Sequence, residues 1–193
     1  MPNWSNEVPT SDTVRAMPLL RTPTNGQLKA CITTPDLIGT CTHFYQGHTT
    51  PHLDENCPAC KEGVGWTWHG YVGAIMASNR QHFMFEFTAQ VGDTLKEYRG
   101  LHGTLRGCII TAERMHHRPN GRVVLSCSPG DLAKLNLPDP PDVIACMATI
   151  WNLPKETIKG NGQLRNSPSI TSDPNLRIVD RLQKQAEARK NGA

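Results

Sequence analysis

The sequence holds no apolar run of the length that crosses a bilayer, and no basic-then-apolar signal pattern opens its N-terminus. A membrane-spanning protein is therefore not expected, and an unexported, cytoplasmic one is. Strong charge is missing too: 20 Lys and Arg stand against 17 Asp and Glu, a formal net charge of +3. That balance permits contact with nucleic acid without demanding it, so the placement of the charges must carry any such argument. There is no internal repeat, no Gly-rich phosphate loop, no Gly-x-Ser-x-Gly elbow and no His-Glu-x-x-His. The commonest signatures of nucleotide hydrolases, serine hydrolases and zinc proteases are thereby excluded, and no enzyme is expected.

What is present falls into a foldable centre and two poorer ends. Residues 1–26 carry four prolines with one apolar patch, Met17-Pro18-Leu19-Leu20, and residues 154–175 repeat that character. Such stretches bury too little apolar surface to offset the entropy of ordering them. A flexible lead over 1–26, a folded unit over 27–153, and a linker with a basic helix over 154–193 are expected.

Within the centre, residues 27–45 read as one long strand bent at Pro35-Asp36 and Gly39. Residues 46–65 read as loop. Trp66 to Ala77 alternates as a strand, and so does His82 to Ala89, where Phe83, Phe85 and Phe87 share one face. Val91, Leu95 and Tyr98 then fall at helical spacing, with Asp93 as a cap and Gly100 and Gly103 as stops. Two more strands, Leu105 to Met115 and Arg122 to Ser128, flank Asn120-Gly121, a hairpin signal. A helix over Asp142 to Leu153 and another over about 174–190 complete the pattern. Strand, strand, strand, helix, strand, strand is the order of the five-stranded OB-like Greek-key barrel. The expected fold is mainly β, such a barrel with an inserted metal loop and C-terminal helices.

The metal loop is the most specific feature. Cys41, His43, His48, His52, Cys57 and Cys60 offer six donors within twenty residues. Structural zinc takes four such donors in a tetrahedron, and a Cys-x-x-Cys turn supplies two thiolates from one backbone knuckle. Cys57 and Cys60 are the firmest ligands. His43 at a strand end and His52, five residues before Cys57, are the favoured other pair, while Cys41 and His48 stay open as replacements. Four protein ligands would close the coordination sphere against an activated water. The remaining cysteines, Cys31, Cys108, Cys127 and Cys146, sit in strand or helix patterns and read as small core residues.

The stretch from His43 to Tyr71, with His-Phe-Tyr, Thr-Thr-Pro-His52, Cys57-Pro-Ala-Cys60 and Trp68-His-Gly-Tyr71, resembles uncharacterised bacterial and phage proteins. In those a Cys often stands where this chain has His52. In architecture the chain also resembles the OB-fold single-strand-binding proteins of the T-even phage type, which carry an inserted zinc site. It departs from them in ligand spacing and in lacking an acidic tail. The resemblance implies a zinc-bearing barrel that binds single-stranded DNA or RNA.

The residues themselves supply a groove for that partner. From Glu97 to Arg122 the chain carries Arg99, Arg106, Arg114, Arg118 and Arg122 against Glu97 and Glu113, with His116 and His117 in the same tract. In an OB-fold the turn between the last two strands rims the binding groove, where guanidinium groups fork onto phosphate and stack on bases. Arg106, Arg114, His116, His117, Arg118 and Arg122 are the expected contacts, and Tyr71, on a polar strand face, an expected stacking ring. A protein partner engaged through the termini is the alternative. A nuclease built on His116-His117 is a weaker one, since no His follows Asn120 to complete such a motif.

Overall fold

Alternation in the central strands dictates two buried faces rather than one. In the computed structural model, which describes residues 17–53 and 57–153, the central strands are β5 (Trp66–Met76) and β6 (His82–Thr88). They pair antiparallel, with Val72 opposite Phe85 and Tyr71 opposite Glu86. Phe83, Phe85 and Phe87 face a core shared with Leu28, Ile32, Val72, Leu95 and Ile110. Met84 and Tyr71 face the other way into a second cluster with Val143 and Met147.

The stretch expected as one bent strand is two. β2 (Gln27–Ile32) pairs with the C-terminal end of β5, and β3 (Ile38–Tyr45) pairs with its N-terminal end. The break at Thr33–Leu37 holds Pro35, which cannot donate to a ladder. β7 (Cys108–Arg114) pairs with β2, and β8 (Val123–Pro129) with β7, both antiparallel. Between β6 and β7 lies α2 (Ala89–His102). The five strands expected from sequence are therefore present in the order β6-β5-β2-β7-β8.

Three further strands extend the sheet to eight. β1 (Leu19–Leu20) runs parallel to β6, so the end of the segment expected as a flexible lead is built into the sheet. Its apolar patch anchors it, with Met17 and Leu19 packed on the second cluster. β4 (His48–Pro51) returns along β3 through Gln46 and Gly47, both at positive φ, a two-residue hairpin inside what reads as loop. No pairing joins β6 to β8 among the described residues, so the sheet is mixed and open, with β1 and β8 at the ends of its main path.

α2 begins at Thr88 rather than at Asp93, which instead pairs with Lys96 one turn along. Gly100 lies inside the helix and Gly103 ends it in the left-handed region, where glycine is free of Cβ strain. The hairpin that Asn120-Gly121 signals is present: β7 and β8 pair antiparallel across it, and the Gly121 amide donates to the Arg118 carbonyl at 2.8 Å. The left-handed residues of that connection are His116 and His117, and a Cβ on Gly121 would stand 3.0 Å from the Arg118 carbonyl oxygen.

After β8, α3 (Leu132–Leu135) and α4 (Val143–Ile150) follow, α4 capped by the Asp142 side chain on the Ala145 amide. Two arginines hold the segment between them. Arg106 donates to the main-chain oxygens of Thr33 (2.7 Å), Leu137 (3.3 Å) and Pro138 (2.9 Å), and Arg80 to those of Leu135 (3.0 Å) and Asn136 (2.9 Å). Truncating Arg106 leaves three carbonyls without a charged donor, each such bond being worth about 1.5–3 kcal/mol. Arg106→Ala is expected to lower stability by about 2 kcal/mol or more and to speed amide exchange over residues 131–141. Unchanged exchange there would show that Arg106 is not the clamp.

Candidate functional site

The metal donors come from three local structures. His43 lies in β3 opposite Trp66 of β5, buried and fixed by ladders on both sides. His52 follows β4 directly, its amide donating to the Cys41 carbonyl at 2.8 Å, which carries the edge pairing one residue further. Cys57 caps α1 (Pro58–Lys61), a single turn that brings Cys60 back beside it. Gly63, at positive φ, lets the chain leave that turn with its amide on the Cys60 carbonyl. A one-turn helix was not expected in this loop, yet Pro at its first position is a helix-start signal the sequence does carry.

These elements bring one ligand atom each of His43, His52, Cys57 and Cys60 within 4.8 Å of one another. His43 Nε2 lies 3.0 Å from His52 Nδ1, and Cys60 Sγ lies 3.6 Å and 3.4 Å from those two nitrogens. The Gly65 carbonyl sits 3.2 Å from the other ring nitrogen of His43. A proton held there for Gly65 leaves the Nε2 lone pair facing the cluster, the usual way a ligating imidazole is oriented. Burial pushes the Cys57 thiol up, but hydrogen bonds from the main chain at Leu53 and Cys60 and from the His52 ring outweigh it and bring the pKa down to about 6. Cys57 is thus favoured as thiolate, the form that binds metal, while burial and the neighbouring Cys57 sulfur push the Cys60 thiol up. Two nitrogens and two sulfurs meeting at one point can hold a metal ion. Cys41 and His48, the open replacements, are not in the cluster.

The expected nucleic-acid contacts divide. Tyr71 is a correction: it is 1 % exposed, edge-on to Trp151 at 5.8 Å between centroids, and no base can reach its ring. The polar strand face that suggested exposure is covered here by α4 and β1, whose apolar side chains lie far away in sequence. Burial also drives its hydroxyl pKa well up. Arg106 is engaged as described above. Arg114 donates to the carbonyls of Thr22 (3.0 Å) and Gly121 (3.2 Å), tying the N-terminal segment to the end of β7. His116, His117, Arg118 and Arg122 are exposed, with Arg122 forked onto the side-chain oxygen of Gln90. His116 and His117 hold left-handed backbone, a costly conformation outside glycine.

Other features of the site lay beyond sequence reasoning. Phe44 of β3 is 70 % exposed and Trp66 49 %. Strand alternation puts Phe44 opposite in face to His43, and that was the signal to follow. A cavity of about 110 Å³ is lined by Arg21, His69, Glu86 and Arg114 with Val91 and Val123. A second, of about 300 Å³, shares Val91 and Val123 with it and reaches Gln90 and Arg122. Glu86 is buried there. Its Oε1 pairs with Arg21 at 2.6 Å and lies 3.7 Å from His69 Nδ1, while its Oε2 has no hydrogen-bond partner among the described residues. Burial lowers the His69 pKa against the pull of Glu86, and its Nδ1 lies 2.6 Å from the Thr42 hydroxyl.

Cys31 and Cys108 are buried in strands, while Cys127 and Cys146 are half-buried. The C-terminal basic helix expected from sequence lies outside the described residues. No described helix is long and apolar enough to cross a membrane. Comparison of the chain with protein-family models, with curated proteins and with solved structures gives no match.

Proposed function

We propose that this protein binds single-stranded nucleic acid without catalysis, on an OB-like barrel whose hairpin is pinned by structural zinc. Zinc fits the donor set. At bond lengths of about 2.0–2.1 Å to nitrogen and 2.3 Å to sulfur, a tetrahedron places its donors roughly 3.3–3.8 Å apart. The two Cys60–histidine distances of 3.4 and 3.6 Å lie inside that range, the His43–His52 distance of 3.0 Å falls a little short of it, and all four donors lie within 4.8 Å of one another. Four protein donors leave no open position, which suits a structural role over a catalytic one.

The barrel reading is supported by the strand order, in which every neighbour pair of the Greek key except the closing one has a ladder. It is supported also by α2 lying between the third and fourth of those strands. A cavity that Glu86 and Phe87 of β6 share with Val123 at the start of β8 is consistent with a curled sheet.

The observation that carries the ligand assignment is the connection between β7 and β8. His116, His117 and Arg118 stand exposed there, with no ion pair among the described residues, beside cavities whose walls hold Arg21, Arg114 and Arg122. An exposed guanidinium that the fold does not consume, as at Arg118, is the kind of group a phosphate backbone recruits. Phe44, exposed on the neighbouring hairpin, supplies a stacking face in place of Tyr71.

Fluorescence titration with labelled oligo(dT) and oligo(U) at two salt concentrations tests this. Affinity is expected to fall as salt rises. Arg118→Ala should weaken binding several-fold and flatten the salt dependence by about one phosphate contact. Flat titrations with both polymers would overturn the assignment. They would favour a protein partner instead, the reading to which exposed Phe44 and Trp66 also lend themselves.

A further inference from the structure

Main-chain polar groups along a strand edge call for partners, and folds guard such edges by shortening, charging or bulging them. β1 and β4, at other margins of the sheet, are two and four residues long. β8 ends the main strand path with seven residues, none of them charged and only the last a proline. Its register with β7 runs unbroken from Arg114–Val123 to Cys108–Pro129, so no bulge turns the edge away. The Met115 amide donates to the Arg122 carbonyl at 2.9 Å, and the Gly130 amide to the Gly107 carbonyl at 3.0 Å. Antiparallel pairs alternate between bonded and unbonded, and both contacts phase this ladder alike. Val123, Leu125 and Cys127 therefore turn their N–H and C=O groups away from β7. All three residues are half-buried, and no described strand pairs with β8 on that side.

Beside this edge lies the cavity of about 300 Å³, lined by Gln90, Val91 and Thr94 of α2 and by Arg122 to Leu125 of β8. Arg122 stands at one end of it, its guanidinium held by the neutral amide of Gln90, so its charge is not cancelled there. We infer that this groove takes an extended segment of a partner protein, which adds a strand to β8 and sets an acidic side chain on Arg122. Donors and acceptors repeating every second residue are matched by another peptide backbone. A phosphodiester chain brings acceptors but no donors, and would leave the β8 carbonyls unmet. Alternate side chains of an added strand share one face, and apolar ones suit Val91 and Leu125. Arg122 supplies the charge that fixes the register. The inference does not rest on the single-strand reading.

The test selects phage-displayed random nonapeptides against the full chain, then titrates the enriched sequence, made synthetically with a fluorophore, by anisotropy. That sequence is expected to carry apolar residues two apart and one Asp or Glu. Exchanging the acid for its amide should weaken binding several-fold in the wild-type chain and leave it unchanged in Arg122→Gln. N-methylating the alternate peptide residues that face β8 should cost at least about 10-fold, and methylating the other set far less. By NMR, the amides of Val123, Leu125 and Cys127 should exchange quickly in the free chain and slowly with the peptide bound. No enriched sequence, or equal losses from methylating either set, would overturn the inference. So would slow exchange of those amides in the free chain, which in a monomer would mean that the chain fills its own edge and in a dimer that a second copy does. Their protection by oligo(dT) instead of peptide would give the groove to nucleic acid. Failure of oligo(dT) to bind anywhere would end the single-strand reading and leave a peptide-protected edge standing.

Discussion

Replacing Cys57 with serine is expected to cost the protein its bound metal and several kcal/mol of stability. Metal-binding free energy in such sites is folding free energy, because the unfolded chain has no assembled ligand set. The turn that carries Cys57 and Cys60, unlike the β3–β4 hairpin, has no strand ladder to hold it. α1 is one turn long, and of its own residues only Ala59 is buried. Its apolar contribution cannot replace a tetrahedral anchor. At this chain length each kcal/mol moves Tm by roughly 2–4 °C, so a drop of about 10 °C or more should be seen by circular dichroism. Cys60→Ser should behave alike, and chelator should lower the wild-type Tm in the same direction. Elemental analysis should find one zinc per chain, lost in both serine variants and retained in Cys41→Ser and His48→Ala. Unchanged melting in excess chelator, or full zinc content after Cys57→Ser, would remove the metal from the account.

A second large effect is expected at Gly70. Trp68 of β5 lies over a slot floored by Gly39, Gly70 and Gly92, with Phe87 beside it at 6.3 Å between centroids. A Cβ on Gly70 would stand 2.7 Å from Phe87 Cζ and 2.7 Å from Trp68 Cη2, inside the range that real contacts avoid. Both rings are hemmed in, Phe87 by Phe85 and Trp68 by α2, so neither can yield without disturbing the core. Over-packing of this kind costs about 1–3 kcal/mol and more when rings cannot move. Gly70→Ala should therefore lose at least about 3 kcal/mol in urea unfolding. The double variant Gly70→Ala/Phe87→Leu should lose clearly less than the sum of the two single losses, because the smaller side chain vacates the contested space. Additive losses would mean that the rings are not what the new methyl meets.

The same slot shows why part of this fold is readable from sequence and part is not. The alternation of Phe83, Phe85 and Phe87 marks a strand and its core face without further information, and the structure keeps both. The Cys57–Cys60 knuckle is equally local: two thiolates three residues apart converge whatever surrounds them. His43 and His52 could be favoured because one ends a strand and the other lies a short loop from the knuckle. Choosing them over Cys41 and His48 needed the β3–β4 hairpin, which turns at Gln46-Gly47 and sets the register.

Tyr71 is the instructive failure. Period two puts it on one strand face with Thr67 and His69, a polar set that looks solvent-facing. Only α4 and β1, remote in sequence, bury it, and their docking depends on apolar matches that periodicity cannot rank. The arginines fail for a related reason. A guanidinium is equally fit for phosphate and for main-chain oxygen, so sequence cannot tell Arg118, which the fold leaves out, from Arg106, which it consumes.

What the amino-acid order determined alone was local: the later four β-segments with the Phe83, Phe85 and Phe87 core face, the helix after His82–Thr88, and the Cys57–Cys60 knuckle. Those features depend on contacts within a few residues, where backbone geometry and side-chain type suffice. Tertiary structure alone decided which polar groups are used up by the fold and which are left for a partner, and where a cavity opens. Those outcomes depend on long-range packing, in which β1, Arg21, Glu86 and Arg114 meet although up to 95 positions separate Leu19 from Arg114.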